Sequence, residues 1–92
     1  MSNQETNRDT NSADTLALNA LVWVLQEPAR ADRFLGLTGL SGDDIRGRIS
    51  DPALLDAVLG FLEAHEPDLV ACAKALEVQP SILVSARSGL SH

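Results

Sequence analysis

The chain has 92 residues, 45% of them hydrophobic, which is the share expected of one ordinary globular domain. Thirteen acidic against seven basic residues leave a net charge of −6, which opposes non-specific binding to nucleic acid or to an anionic membrane. The single cysteine, Cys72, cannot form an internal disulfide, so nothing points to an oxidising compartment.

Residues 1–12 hold no apolar side chain after Met1 and are expected to form a disordered tail ahead of a single helical domain over 13–92. They carry neither the apolar core of a signal peptide nor the basic run of a DNA-binding arm. No later run reaches the length of a membrane span. The expected location is the cytoplasm. The first helix, "ADTLALNALVWVLQ", runs over 13–26 with Ser12 as its cap. Its centre is apolar on every side, which predicts burial of most faces, with Trp23 as the largest core residue.

Four prolines divide the remainder of the chain. Pro28, Pro52 and Pro67 each follow an acidic residue, and Pro80 follows Gln79. Proline suits the first helical position because its missing N–H would be unpaired there, and the residue before it is pushed out of the helical region and can serve as a cap. Each proline is therefore expected to open a helix. The one from Pro28 should stop at Gly39. A short helix comes after Ser41, with Asp43 and Asp44 facing the positive end of its dipole and Ile45 and Ile49 turned inward together. In 52–64, Leu54, Leu55, Val58, Leu59 and Leu62 form one stripe, with Phe61 at its edge, either in the core or facing a partner. In 67–77, Leu69, Val70, Ala73 and Leu76 form the inward face, and in 80–88 it is Ile82, Leu83 and Ala86, leaving Val84 pointing away. Alternation of polar and apolar residues never persists. The expected fold is all-α, a compact orthogonal array of five to six short helices around Trp23, with a helix-turn-helix-like C-terminal pair.

The motifs that carry chemistry are missing or incomplete. "GLTGLSG" spaces Gly36, Gly39 and Gly42 three apart, but no strand precedes it and no lysine comes after it, so it reads as a helix end and not as a phosphate cradle. Asp43 and Asp44 lack the alternating ligands of a calcium loop. His65, Glu66, Asp68 and Cys72 cluster at one helix joint, yet one cysteine and one internal histidine are too few for a zinc site. Cys72 lies in an Ala-rich helix of the kind that holds inert thiols. No catalytic, metal-binding or cofactor-binding residue is assigned, no cofactor or small-molecule substrate is implied, and a non-enzymatic role is expected. Arg30, Arg33, Arg46 and Arg48 are bracketed by acids and read as solvated, ion-paired faces.

"ACAKALEVQPSILVSAR" has the cadence of a DNA-reading helix-turn-helix. Ala73 stands as the small residue, Leu76 and Val78 flank the turn, and Leu83 anchors the second helix. Glu77 stands where such turns usually carry glycine. The second helix offers one charge, Arg87, at the end away from base contacts. Phosphate contacts need several lysines or arginines, so the charge balance argues against nucleic acid.

"LNALVWVLQEPARADRFLGLTGL" and "DPALLDAVLGFLEAHEPDLVACAKAL" together resemble a family of short helical proteins from alphaproteobacteria, known as a domain of unknown function. The shared features are the aromatic residue of the first helix (Trp23), the "RFL…TGL" segment (Arg33–Leu35 and Thr38–Leu40) and a "DPxFLxxVLxFL" helix (Asp51–Leu62). The resemblance covers about residues 16–90 and implies one helical domain in a bacterial cytoplasm. It brings no activity and no functional residues. The expected role is a small protein-interaction module that takes a protein partner, itself or another. Phe61, Val84, Ser85, Arg87 and part of the first helix are its candidate partner-facing residues. The alternative is DNA binding through residues 69–88.

Overall fold

The computed structural model describes residues 12–90. The tail expected over residues 1–12 lies, but for Ser12, outside that range, as does His92. Six helices run in chain order: α1 Ala13–Gln26, α2 Pro28–Thr38, α3 Gly42–Gly47, α4 Pro52–Glu63, α5 Glu66–Leu76 and α6 Pro80–Leu90. No strand occurs among the described residues. The all-α expectation holds.

Local chemistry sets most of the boundaries. Ser12 accepts a hydrogen bond from the Thr15 N–H, Glu27 from the Arg30 N–H and Asp51 from the Ala53 N–H, so each occupies a donor that the helix itself leaves unpaired. Ser41 and Asp44 form a reciprocal capping box on α3. Gly39 ends α2 in the left-handed conformation at φ 75°. At α5 the expected start shifts by one residue. The helix opens at Glu66, Pro67 takes its second position, and His65 stands at the cap with no side-chain hydrogen bond.

Two of these caps give the domain a pH dependence. Hydrogen bonds from the Ser41 backbone N–H and then its hydroxyl hold the Asp44 carboxyl below the usual carboxylate range. The Ala53 N–H, and after it Arg48, does the same for Asp51. Both groups titrate lower folded than unfolded. Their contribution is therefore complete above the unfolded value of about pH 4 and is lost as the pH falls through the lowered folded values. The urea midpoint is expected to drop on acidification below about pH 4, and Asp51→Asn, which keeps a capping oxygen but cannot titrate, to flatten that drop.

The core is organised by α1, which packs against α2, α4, α5 and α6. Its inner face is Leu16, Ala17, Ala20, Leu21 and Val24. Two alanines with no exposed surface let neighbouring helices approach closely. The approach is tightest at α6, where a side chain on Gly89 would come within 2.9 Å of the Ala13 Cβ. The stripe predicted for α4 is buried as expected: Leu54, Leu55, Val58, Leu59 and Leu62. Leu83, Ala86 and Leu90 bring α6 onto it.

Several single-residue expectations fail, each for a tertiary reason. Trp23 is not the centre of the core. It lies at the edge of the inner face of α1, half-buried, with the Arg30 guanidinium 3.6 Å above its ring. The largest fully buried side chain is Phe34 of α2. Phe61 is buried too, and so does not face a partner. Phe34 meets it edge-to-face at 5.4 Å between ring centres, and Arg33 covers it from outside. Ile49 does not turn inward with Ile45, because α3 ends at Gly47 and the helical register is lost before it. Val70 and Ile82 are exposed as well, at the edges of faces otherwise placed as expected: Ala73, Leu83 and Ala86 are buried, Leu69 and Leu76 pack against the core, and Cys72 and Leu90 join them.

Candidate interaction surface

A helix apolar on all sides needs neighbours on all sides, and α1 does not have them. Its neighbours cover one arc. The opposite arc presents Asp14, Leu18, Asn19, Val22, Leu25 and Gln26 to solvent. Leu18, Val22 and Leu25 are 37%, 49% and 37% exposed, and their i, i+4, i+7 spacing aligns them as one outward stripe. The only charged residue of the helix is Asp14, at its first turn. Ile49, freed by the early end of α3, continues the apolar surface. It lines a cleft of about 140 Å³ with Leu18, Asp14, Thr15, Ser50 and Leu55. Exposed apolar residues are ordinary on a folded domain; what marks these three is their alignment on one helix face.

The residues predicted to face a partner divide differently. Val84 and Ser85 are exposed on α6, while Phe61 lies inside. Arg87 is engaged across the helix interface. Its Nε donates to Asp56 at 2.8 Å and its Nη1 to Glu63 at 3.1 Å, both on α4. The guanidinium lies over Gly60, where a Cβ would come within 3.1 Å of it. The hydrogen bonds that Arg87 donates to Asp56, with the charges of Asp56 and Glu63, push the Arg87 pKa up. Val84 and Ser88 border this ion-paired cleft, so the outer face of α6 there is polar at its base.

The cluster at the α4–α5 joint does not converge. Asp68 is ion-paired with Arg33 of α2, His65 is exposed, and Cys72 is buried. Among the described residues no group of three or more histidine, cysteine or acidic side chains is placed to hold a metal ion. Burial pushes the Cys72 thiol up to about 11. The thiolate is the reactive form, so labelling by a disulfide reagent near pH 8 is expected to be at least ~100-fold slower in the native protein than in urea, where the pKa returns to about 8.5. Native-state labelling as fast as in urea would place the thiol at the surface.

The α5–α6 pair has the geometry its sequence suggested. The two helices are bent by 94° at the break between them. A turn of three residues, 77–79, joins them, within the range of helix-turn-helix units. Glu77 adopts the left-handed conformation at φ 61°, ψ 42°, and is the sole non-glycine residue with positive φ among those described. The substitution at the usual glycine position thus leaves the turn intact, at a backbone cost of about 1–2 kcal/mol. The exposed side of α6 carries Ser81, Ile82, Val84, Ser85 and Ser88, none of them basic. No single helix among the described residues is long and apolar enough to cross a membrane.

The fold and its surface define a small all-helical domain whose central helix shows an uncovered apolar face. The chain belongs to the family described as "Protein of unknown function (DUF3572)", which matches it over residues 10–92. No curated protein and no solved structure matches the chain.

Proposed function

We propose that this domain is a non-enzymatic protein-interaction module that acts in the cytoplasm and docks its partner on the outer face of α1. The observation that carries this reading is the stripe Leu18–Val22–Leu25 with Ile49 beside it, an aligned apolar surface on the helix that organises the core. Burying such side chains contributes about 25 cal/mol per Å² of apolar area removed from water, which is the ordinary source of affinity at the centre of a protein interface. A photo-crosslinking amino acid in place of Val22, in cells that natively express the chain, tests it. Discrete covalent adducts are expected from position 22 and not from exposed Ala53 on α4. Absence of any adduct at position 22 would remove the reading.

A second reading is DNA binding through residues 69–88, and the 94° bend with its left-handed turn favours it. The surface of α6 opposes it, because phosphate neutralisation supplies most of the non-specific affinity and Arg87 is already paired with Asp56 and Glu63. A low-salt titration with random duplex DNA separates the two. The interaction reading expects no shift, and binding that weakens steeply with salt would favour the second.

A further inference from the structure

The six helices are not equally held. α1, α4, α5 and α6 pack on one another in every pairing. α2 packs broadly only on α1, its neighbour in the chain, and on α4, and α3 packs broadly on no helix. The buried side chains divide in the same way. α4 alone buries Leu54, Leu55, Val58, Leu59, Phe61 and Leu62, whereas α2 buries Phe34 and α3 buries Ile45. Residues 28–47 therefore lie across a core of four helices that already meet without them.

Two arginines tie this segment down. Arg30 and Arg33, one turn apart on α2, each set a guanidinium on an aromatic ring of the core, Trp23 of α1 at 3.6 Å and Phe61 of α4 at 5.4 Å. Arg30 also donates to the Trp23 carbonyl, and Arg33 is ion-paired with Asp68 of α5. Neither tie is free of cost. The Arg33 side chain is 46% exposed, so water competes for its contacts. The Arg30 Nε is buried without a hydrogen-bond partner, so closure desolvates a donor that opening would return to water. Low local stability belongs to segments with few buried apolar contacts and solvated ends. Glu27 joins this one to α1 through a single extended residue, and residues 46–50 at its other end are exposed.

The segment covers a thiol. Asp68 and Cys72 stand one turn apart on the same side of α5. Arg33 holds Asp68, and Arg30 acts on Cys72: burial is the first influence on that thiol and the charge of Arg30 the second. α2 thus runs along the side of α5 on which Cys72 lies, while Phe34 seals the ring of Phe61. We propose that residues 28–47 form a strap that lifts as one unit while α1, α4, α5 and α6 stay packed, baring Phe61 and the Cys72 sulfur. An unpacked helix of 11 residues is marginal in water, so α2 unravels once lifted. The outer face of α1 takes no part in this motion, so the strap stands or falls apart from the interaction reading.

Labelling of Cys72 in the folded full chain tests this, with a disulfide reagent dilute enough for the rate to report the open population, alongside hydrogen exchange of the amides. Two variants separate a strap from global unfolding. Arg33→Gln removes contacts that only the closed strap makes and should speed labelling at least about threefold. Leu83→Val trims a buried side chain of α6 that stays packed in the lifted state. It should raise the global unfolding constant about three- to tenfold, read from urea melts, and leave the labelling rate unchanged. Interior amides of α2 should share the opening constant of the thiol and exchange at least about tenfold faster than interior amides of α1 and α4, after correction for intrinsic rates. If Leu83→Val speeds labelling as much as it raises the global constant, Cys72 is reached only by complete unfolding and the strap is overturned. α2 amides as protected as those of α4, or labelling that Arg33→Gln leaves unchanged, overturn it as well.

Discussion

Replacing Phe34 with alanine is expected to destabilise the domain by about 3–5 kcal/mol, the range for removing a fully buried aromatic side chain. Phe34 has no exposed surface, and its ring stands at 77° to that of Phe61, 5.4 Å away. The substitution removes the transfer free energy of the ring, leaves a cavity between α2 and α4, and ends an aromatic contact worth about 0.5–1.5 kcal/mol beyond its area. A domain of this size has a total stability of only about 5–10 kcal/mol. The variant should therefore be partly unfolded near physiological temperature. Urea unfolding monitored by the fluorescence of Trp23, the one tryptophan, measures the loss. A loss below about 1 kcal/mol would mean that the α2–α4 contact is loose and that Phe61 is free to leave the core.

Leu21→Ala and Leu18→Ala are expected to differ sharply although they change the same residue type on the same helix. Leu21 has no exposed surface and belongs to the core, and its truncation should cost about 2–5 kcal/mol. Leu18 lies on the outward stripe, and its truncation should change monomer stability by no more than about 0.5 kcal/mol. Chemical denaturation near 1 µM measures both losses, since in dilute solution no binding adds apparent stability. Equal losses for both in dilute solution would mean that α1 is covered on all sides, as its composition alone predicts.

Helix placement was legible wherever local chemistry decides it. Ser12, Glu27, Ser41 and Asp51 cap, Pro28, Pro52 and Pro80 stand at first positions, and Gly39 stops a helix, because each satisfies or removes a particular backbone donor within a few residues. The α4 stripe was legible because its periodicity is strong and its off-stripe positions are polar. Placement of the interaction stripe was not. "ALVWVL" gives no polar side by which to orient the helix, so its composition could indicate burial but not which arc the neighbours would leave uncovered. The same limit misplaced Trp23, because Arg30 arrives over its ring from α2, seven residues further on.

The amino-acid sequence by itself therefore determined an all-α domain, most of its helix starts, the hydrophobic face of α4 and the acidic balance that sets phosphate-binding chemistry at a disadvantage. These come from backbone hydrogen bonding, periodicity and charge, which act over one or two turns or are summed over the whole chain. Only the tertiary structure decided that Phe34 and Phe61 share the core, that Arg87 clamps α6 to α4 through Asp56 and Glu63, and that Leu18, Val22, Leu25 and Ile49 are left facing water. Each depends on which helix lies across which, and helix crossing is fixed by the fit of side chains from segments tens of residues apart.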